Sequence, residues 1–182
     1  FKQAHPTGQV LSRDTGVSRP YGRNPYSGYD TGRPFLFRGP EDERLRATER
    51  VATVSIGDLD VAFPFSVLEE EPVVHYTIDG RDIVVLYKKG TASALDSTSI
   101  ALGRDVGATG VFTPEATGQK LTFRADGDFF KDNETGTTWN LLGHAIAGAL
   151  EGERLQPVVH GNHFWFSWAV FKPDTIVYRR DQ

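Results

Sequence analysis

Cysteine and methionine are both absent from the 182 residues. Without cysteine the chain holds no disulfide, thiolate zinc site, iron–sulfur cluster or covalently attached c-type haem, and no cysteine nucleophile. Its redox compartment stays open. Without methionine, Phe1 is not expected to be a natural start, and a signal peptide or a longer N-terminal region is expected ahead of it. Long apolar runs are missing too, so nothing here reaches the ~18 residues a membrane helix needs. Basic excess is lacking, with a formal net charge of -4 and a pI near 5.7, which argues against a general nucleic-acid binder. There is no Gly-x-Ser-x-Gly elbow, no Walker loop and no Gly-x-Gly-x-x-Gly after a strand, so hydrolase and nucleotide-enzyme readings have no motif behind them.

What is present suffices for a folded domain. Hydrophobic residues make up 38%, aromatics 12% and charged residues 24%, close to the average for a soluble domain. At roughly 100–200 residues per domain the length fits one domain, or one plus an arm. Charge is uneven. Residues 1–50 carry nine basic and six acidic residues, the remainder eleven and eighteen, so a net of +3 precedes a net of -7. The first segment also holds five of the ten prolines and six of the nineteen glycines. It reads as an extended, turn-rich arm at 1–50, with a globular domain at 51–182. Its aromatics and arginines favour wrapping a surface over a solvated linker, because disordered linkers are poor in aromatics.

The two ends echo each other. Pro, Val, Arg and Asp of residues 5–14 coincide without a gap with those of residues 172–181. The pattern predicts the tail of one repeat, a linker, and one complete repeat. Within the domain, short β-branched runs alternate with turn signals. Val51–Ile56 and Val61–Phe65 read as strands, Pro64 placing the second at an edge or bulge. Ser66–Glu71 reads as one helical turn. Val73–Ile78, Asp79-Gly80 and Asp82–Tyr87 form a hairpin signal. Residues 90–110 read as a long loop, Gly110–Thr113, Lys120–Ala125 and Thr137–Leu141 as strands, and Phe164–Phe171 as a short helix capped by Asn162. Val177 and Tyr178 are expected to close the sheet. The expectation is a mainly β fold, a short-stranded sandwich or open barrel with long loops and one or two short helices.

Several segments carry a resemblance. They include Val10–Gly16, Tyr21–Tyr26 with Gly28-Tyr29-Asp30, Gly90–Asp96, Gly103–Gly107, Leu121–Phe123, Glu134–Trp139 and His160–Trp165. Together they resemble a prokaryotic family of unknown function, numbered 3179 among such domains, over nearly the whole chain. The resemblance implies a longer parent with two related halves, often exported, hence a periplasmic, cell-surface or secreted location. It also implies a Cys-Pro-x-Cys loop in the first half of family members. The corresponding place here, Tyr87-Lys88-Lys89-Gly90, has no cysteine, so thiol or metal chemistry of that loop is not carried over.

Five groups of residues are candidates for a site. His160 and His163 are three apart, near the spacing of two ligands on a turn or helix, and imidazole suits Zn, Cu or Fe. Asp96, Asp105 or His144 would have to supply a third ligand, and the alternative is structural hydrogen bonding. The cluster Asp126, Asp128, Asp132 and Glu134 could bind calcium through oxygens, or simply build turns. Ser93, Ser97 and Ser99 are nucleophile candidates in the long loop. Arg104 and Asp105, between glycines, could bind an anion or a carboxylate, or pin the loop. In the arm, Arg13, Asp14, Arg19, Tyr21, Arg23, Tyr26 and Tyr29 could form a recognition strip, since Tyr and Arg are enriched at interface hot spots. The alternative is that the arm packs on its own domain. The favoured reading is a non-catalytic binding or assembly module without a cofactor, docking on a protein partner or on an upstream half of its own parent. A transition-metal domain using His160 and His163 is the alternative.

Overall fold

A computed structural model describes residues 5–35 and 37–180. Phe1 and Lys2, and the Asp at 181 that completes the terminal echo, lie outside the described residues. The chain is mainly β. Four sheets form without a closed barrel among the described residues.

The elements follow in chain order. Strands β1 (Arg50–Ile56) and β2 (Leu59–Pro64) form a hairpin, and α1 (Phe65–Glu70) follows directly. β3 (Val73–Ile78) and β4 (Arg81–Lys88) make the second hairpin, and β5 (Ala108–Phe112) joins it after a long loop. A smaller region holds β6 (Glu115–Ala116), β7 (Gln119–Lys120), β8 (Phe123–Asp126), β9 (Phe129–Asp132), β10 (Thr138–Trp139) and β11 (Ala145–Ala147). The chain returns as β12 (His160–Phe164), α2 (Trp165–Ala169) and β13 (Ile176–Val177). The strand orders are β12-β1-β2-β13, β3-β4-β5 and β11-β10-β9-β8, with β6-β7 apart.

β4 shows why the strands stack this way. Its run Ile83-Val84-Val85-Leu86-Tyr87 is buried on both faces. Alternation sends Ile83, Val85 and Tyr87 to one core with Ala52, Val54, Val61 and Phe63. Val84 and Leu86 go to a second core with Phe112, Phe123, Phe130 and Trp139. The β3-β4-β5 sheet is therefore the shared middle layer. The outer face of β1 and β2 is covered by α2, where Val51 and Ala62 meet Trp165 and Ala169. Polar groups are matched inside the smaller region. Buried Asp132 accepts hydrogen bonds from Trp139 Nε1 at 2.8 Å and from the Thr135 amide at 2.5 Å.

The hairpin at Asp79-Gly80 forms as expected, with both residues at positive φ and an unbroken antiparallel register from Val73–Leu86 to Ile78–Arg81. Ile176 and Val177 join the sheet in parallel beside β2, and the amide of Tyr178 donates to the Ala62 carbonyl. Other expectations need correction. Asn162 does not cap a helix: it lies in β12 opposite Ala52, and the helix begins at Trp165 with Phe164 at its N-cap. The pairing of β12 with β1 extends the strand past the residue that local preference marks as a cap. Pro64 is not at a sheet edge; it ends β2 opposite Val51, where the strand turns into α1. A proline suits that place because a helix start needs no amide from it. Residues 120–125 do not form one strand: Leu121 and Thr122 separate β7 from β8.

Candidate functional site

The arm packs on the domain in its second half. Among the described residues of 5–49 the regular structure is one 3-10 turn at Tyr29–Thr31 and a single bridge from Arg23 to Ser99. Residues 22–30 run as a strap along the loop 93–100. The Asn24 amide donates to the Thr98 carbonyl at 2.8 Å, Gly28 to Asp96 at 2.7 Å, and Tyr29 to Leu95 at 3.1 Å. Asn24 is buried, and its side-chain amide donates to the Ser97 carbonyl at 3.2 Å. Gly28 takes positive φ just before the 3-10 turn, a conformation in which glycine is unstrained.

At the end of the strap sits Asp30, whose side chain is 0% exposed. Its Oδ2 accepts from Ser93 Oγ at 2.5 Å and pairs with Arg50 Nη2 at 3.1 Å and Arg104 Nη2 at 3.2 Å. Burial pushes the Asp30 pKa up, but the hydrogen bonds from Ser93 and Arg50 and the charges of Arg104 and Arg50 more than offset it, so the carboxyl lies below its ordinary value. Arg50 starts β1 and stacks 4.8 Å over the Phe164 ring. Arg104 is set by Asp96, which accepts from its amide at 2.8 Å and from Nη1 at 3.3 Å. The loop itself is tied at its neck. Asp105 accepts from the amides of Gly90, Thr91 and Gly107 at 2.7, 3.0 and 2.9 Å. Beside this cluster opens a cleft of about 690 Å³, lined in part by Arg46, Phe65, Tyr87 and Val106. Burial pushes the Tyr87 hydroxyl up to about 12, so it is neutral and a hydrogen-bond donor across the physiological range.

The expected residues divide as follows. Arg19, Tyr21 and Arg23 line one open groove of about 530 Å³ together with Thr98. Tyr26 and Tyr29 flank Phe35, and Tyr29 also touches Phe164. Arg13 and Asp14 are exposed and are not part of that groove. Arg104 and Asp105 do not pair with each other: Arg104 reaches into the arm, and Asp105 holds backbone amides. Ser93 is 1% exposed with its hydroxyl engaged, a geometry that pins a loop and leaves no room for attack on a substrate.

The histidine spacing falls on a strand, not on a turn or helix. His160 lies opposite Val54 and His163 opposite Val51, and those valines face different cores. The two rings therefore point to opposite sides of the sheet. His163 packs 5.1 Å from Trp168, and His160 Nδ1 contacts the Val158 carbonyl at 2.9 Å. Among the described residues no group of three or more His, Asp or Glu side chains is placed to hold a metal ion. The acidic cluster is spent on turns and ion pairs: Glu134 on Thr122, Asp126 on Lys131 and Asp128 on Lys88.

Sequence reasoning missed Asp30 and Arg50, which form the centre of the cluster. Asp30 stands in Gly-Tyr-Asp-Thr-Gly and looks like an ordinary turn residue. The family model described as "Protein of unknown function (DUF3179)" matches residues 1–175, so the chain belongs to that family. No curated protein and no solved structure matches the chain.

Proposed function

We propose that this member of the DUF3179 family is a non-catalytic binding or assembly module, and that the first part of its arm carries the contact to a protein partner, an upstream homologous half of the same parent included. One observation carries the reading. Val10 and Leu11 are 76% and 81% exposed, yet they stand in the terminal echo at the places of Val177 and Tyr178. Val177 pairs in parallel with β2, and Tyr178 is buried against Phe63 and Tyr76. A segment with the sequence character of a sheet-closing strand is thus left with its apolar side chains in solvent. Extended segments of this kind dock by adding to an exposed sheet edge. The strap at 22–30 fixes where the free segment leaves the domain. Tyr21 and Tyr26 remain partly or largely exposed beside Arg19 and Arg23, and Tyr and Arg serve well as interface anchors. The reading includes export to the periplasm, the cell surface or the medium, which rests on the family resemblance.

The test is a Val10→Asp/Leu11→Asp double variant in the full parent, purified from its native source. The expected result is loss of the native assembly, or of protease resistance between the halves, with the melting temperature of the isolated chain unchanged. An unchanged assembly would contradict the reading.

A further inference from the structure

Asp30 uses only half of what surrounds it. Its Oδ2 accepts from Ser93 Oγ and Arg50 Nη2 and lies 3.2 Å from Arg104 Nη2, whose hydrogen bond goes to the Asp30 main-chain carbonyl at 3.1 Å. Its Oδ1 is buried without a partner, and so is Nε of Arg50. The Nε–H and Nη–H of a guanidinium form a fork that matches both oxygens of one carboxylate. Here one tine is engaged and the other is idle, so the occupant does not fill the cradle. The cradle is built by Arg50, which opens β1 at the end of the 1–50 segment, and by Ser93 and Arg104 on the 90–107 loop. The occupant arrives on the arm. Beside the cradle the loop offers the carbonyls of Leu95, Asp96 and Thr98, which accept the strap's amides. A carboxylate reader next to a row of backbone acceptors fits an acidic peptide better than a free anion.

The geometry points to a carboxylate-recognition site, built by Arg50, Ser93 and Arg104, that the arm's own Asp30 fills in cis and that an acidic segment of a protein partner takes over in trans. This deepens the binding-module reading and relies on it only for the partner being a protein. The cleft of about 690 Å³ next to Asp30 and Arg104 gives such a segment its approach.

The cradle is tested in the full chain carrying Asp30→Ala. The probe is a synthetic peptide of residues 22–31, with Asp or Asn at position 30. The Asp peptide binds at least about tenfold more tightly than the Asn peptide, because hydrogen bonds to charged groups are the stronger ones. Sodium acetate raises the variant's melting temperature more than sodium chloride at equal ionic strength, and Arg104→Ala added to Asp30→Ala removes the difference. Equal affinity of the two peptides, or equal effects of the two salts, overturns the proposal. Should Asp30→Ala not fold, the wild-type chain is titrated with both peptides while the Arg50 Nε–H resonance is followed. A shift with the Asp peptide alone supports takeover, and no shift with either overturns it. Neither outcome touches Val10 and Leu11, so failure of the cradle and failure of the assembly reading are read separately.

Discussion

Asp30 shows how one carboxylate can hold an arm to a domain. Two arginines and a serine converge on it, and it is wholly buried while Arg104 is 43% exposed. Breaking a buried ion pair costs 3–5 kcal/mol in general, and the exposure of Arg104 lowers this, so Asp30→Ala is expected to cost about 2–4 kcal/mol in urea unfolding. Because the folded pKa of Asp30 is below its ordinary 3.8, its contribution is complete above that value. It is lost as the pH falls through the lowered folded value. His75 works at a milder pH. Its Nε2 accepts from the Phe123 amide at 2.9 Å. Burial, the largest influence, depresses its pKa below 6.5, and to take a proton Nε2 would have to give up the Phe123 amide, while the charge of Glu134 opposes the shift. The folded state thus resists the proton that the unfolded chain takes up, and stability declines as the pH falls below 6.5. A His75→Gln variant should lessen this slope in pH-dependent melting, His144 keeping part of it because burial lowers its pKa too, while the steeper decline near pH 4 stays. Gly103 tests the loop. A Cβ there would meet the Ser93 carbonyl oxygen at 2.1 Å. Gly103→Ala is expected to cost about 1–3 kcal/mol by calorimetry, the range for forced overpacking, and to loosen the strap.

At the scale of elements, the legible parts are those whose information is local. The Val73–Lys88 hairpin combines alternating β-branched residues with an Asp-Gly turn, and it forms with that turn. Ser66–Glu71 was readable as a helical turn to within one residue for the same reason. Asn162 was not, because its strand conformation depends on β1, more than a hundred residues earlier. The short helices confirm the point: neither has a side-chain cap bond, and each begins where a strand of the main sheet ends. The arm divides into two elements by its hydrogen bonds. Residues 22–30 are strapped to the loop, whereas Arg13 and Arg19 lie in the exposed stretch before it. Limited trypsin digestion of the isolated chain should therefore cut first after Arg13, leaving a fragment that begins at Asp14, because the bond from Arg19 to Pro20 resists trypsin. Early cleavage after Arg23 at a comparable rate would contradict the strap.

On the scale of the whole molecule, a basic arm lies against an acidic domain, and the +3 and -7 halves visible in the sequence meet at Asp30 with inverted signs. The basic segment gives the carboxylate and the acidic remainder gives Arg104, while Arg50, the last residue of the basic segment, adds the second guanidinium. That inversion is why composition pointed to wrapping but could not name the contact. Among the expected site residues, Arg104 and Asp105 border the cleft, and Arg19, Tyr21 and Arg23 share a groove. The spacing of His160 and His163 has meaning for metal binding on a turn or helix, and both lie on a strand. The central claim is that residues 9–17 are a docking segment. Hydrogen exchange measured on the isolated chain, and on the same chain within the assembly from its native source, tests it most directly. The account predicts rapid exchange at residues 9–17 in isolation and strong protection in the assembly, with residues 24–30 protected in the isolated chain. Equal, rapid exchange of residues 9–17 in both states would contradict it.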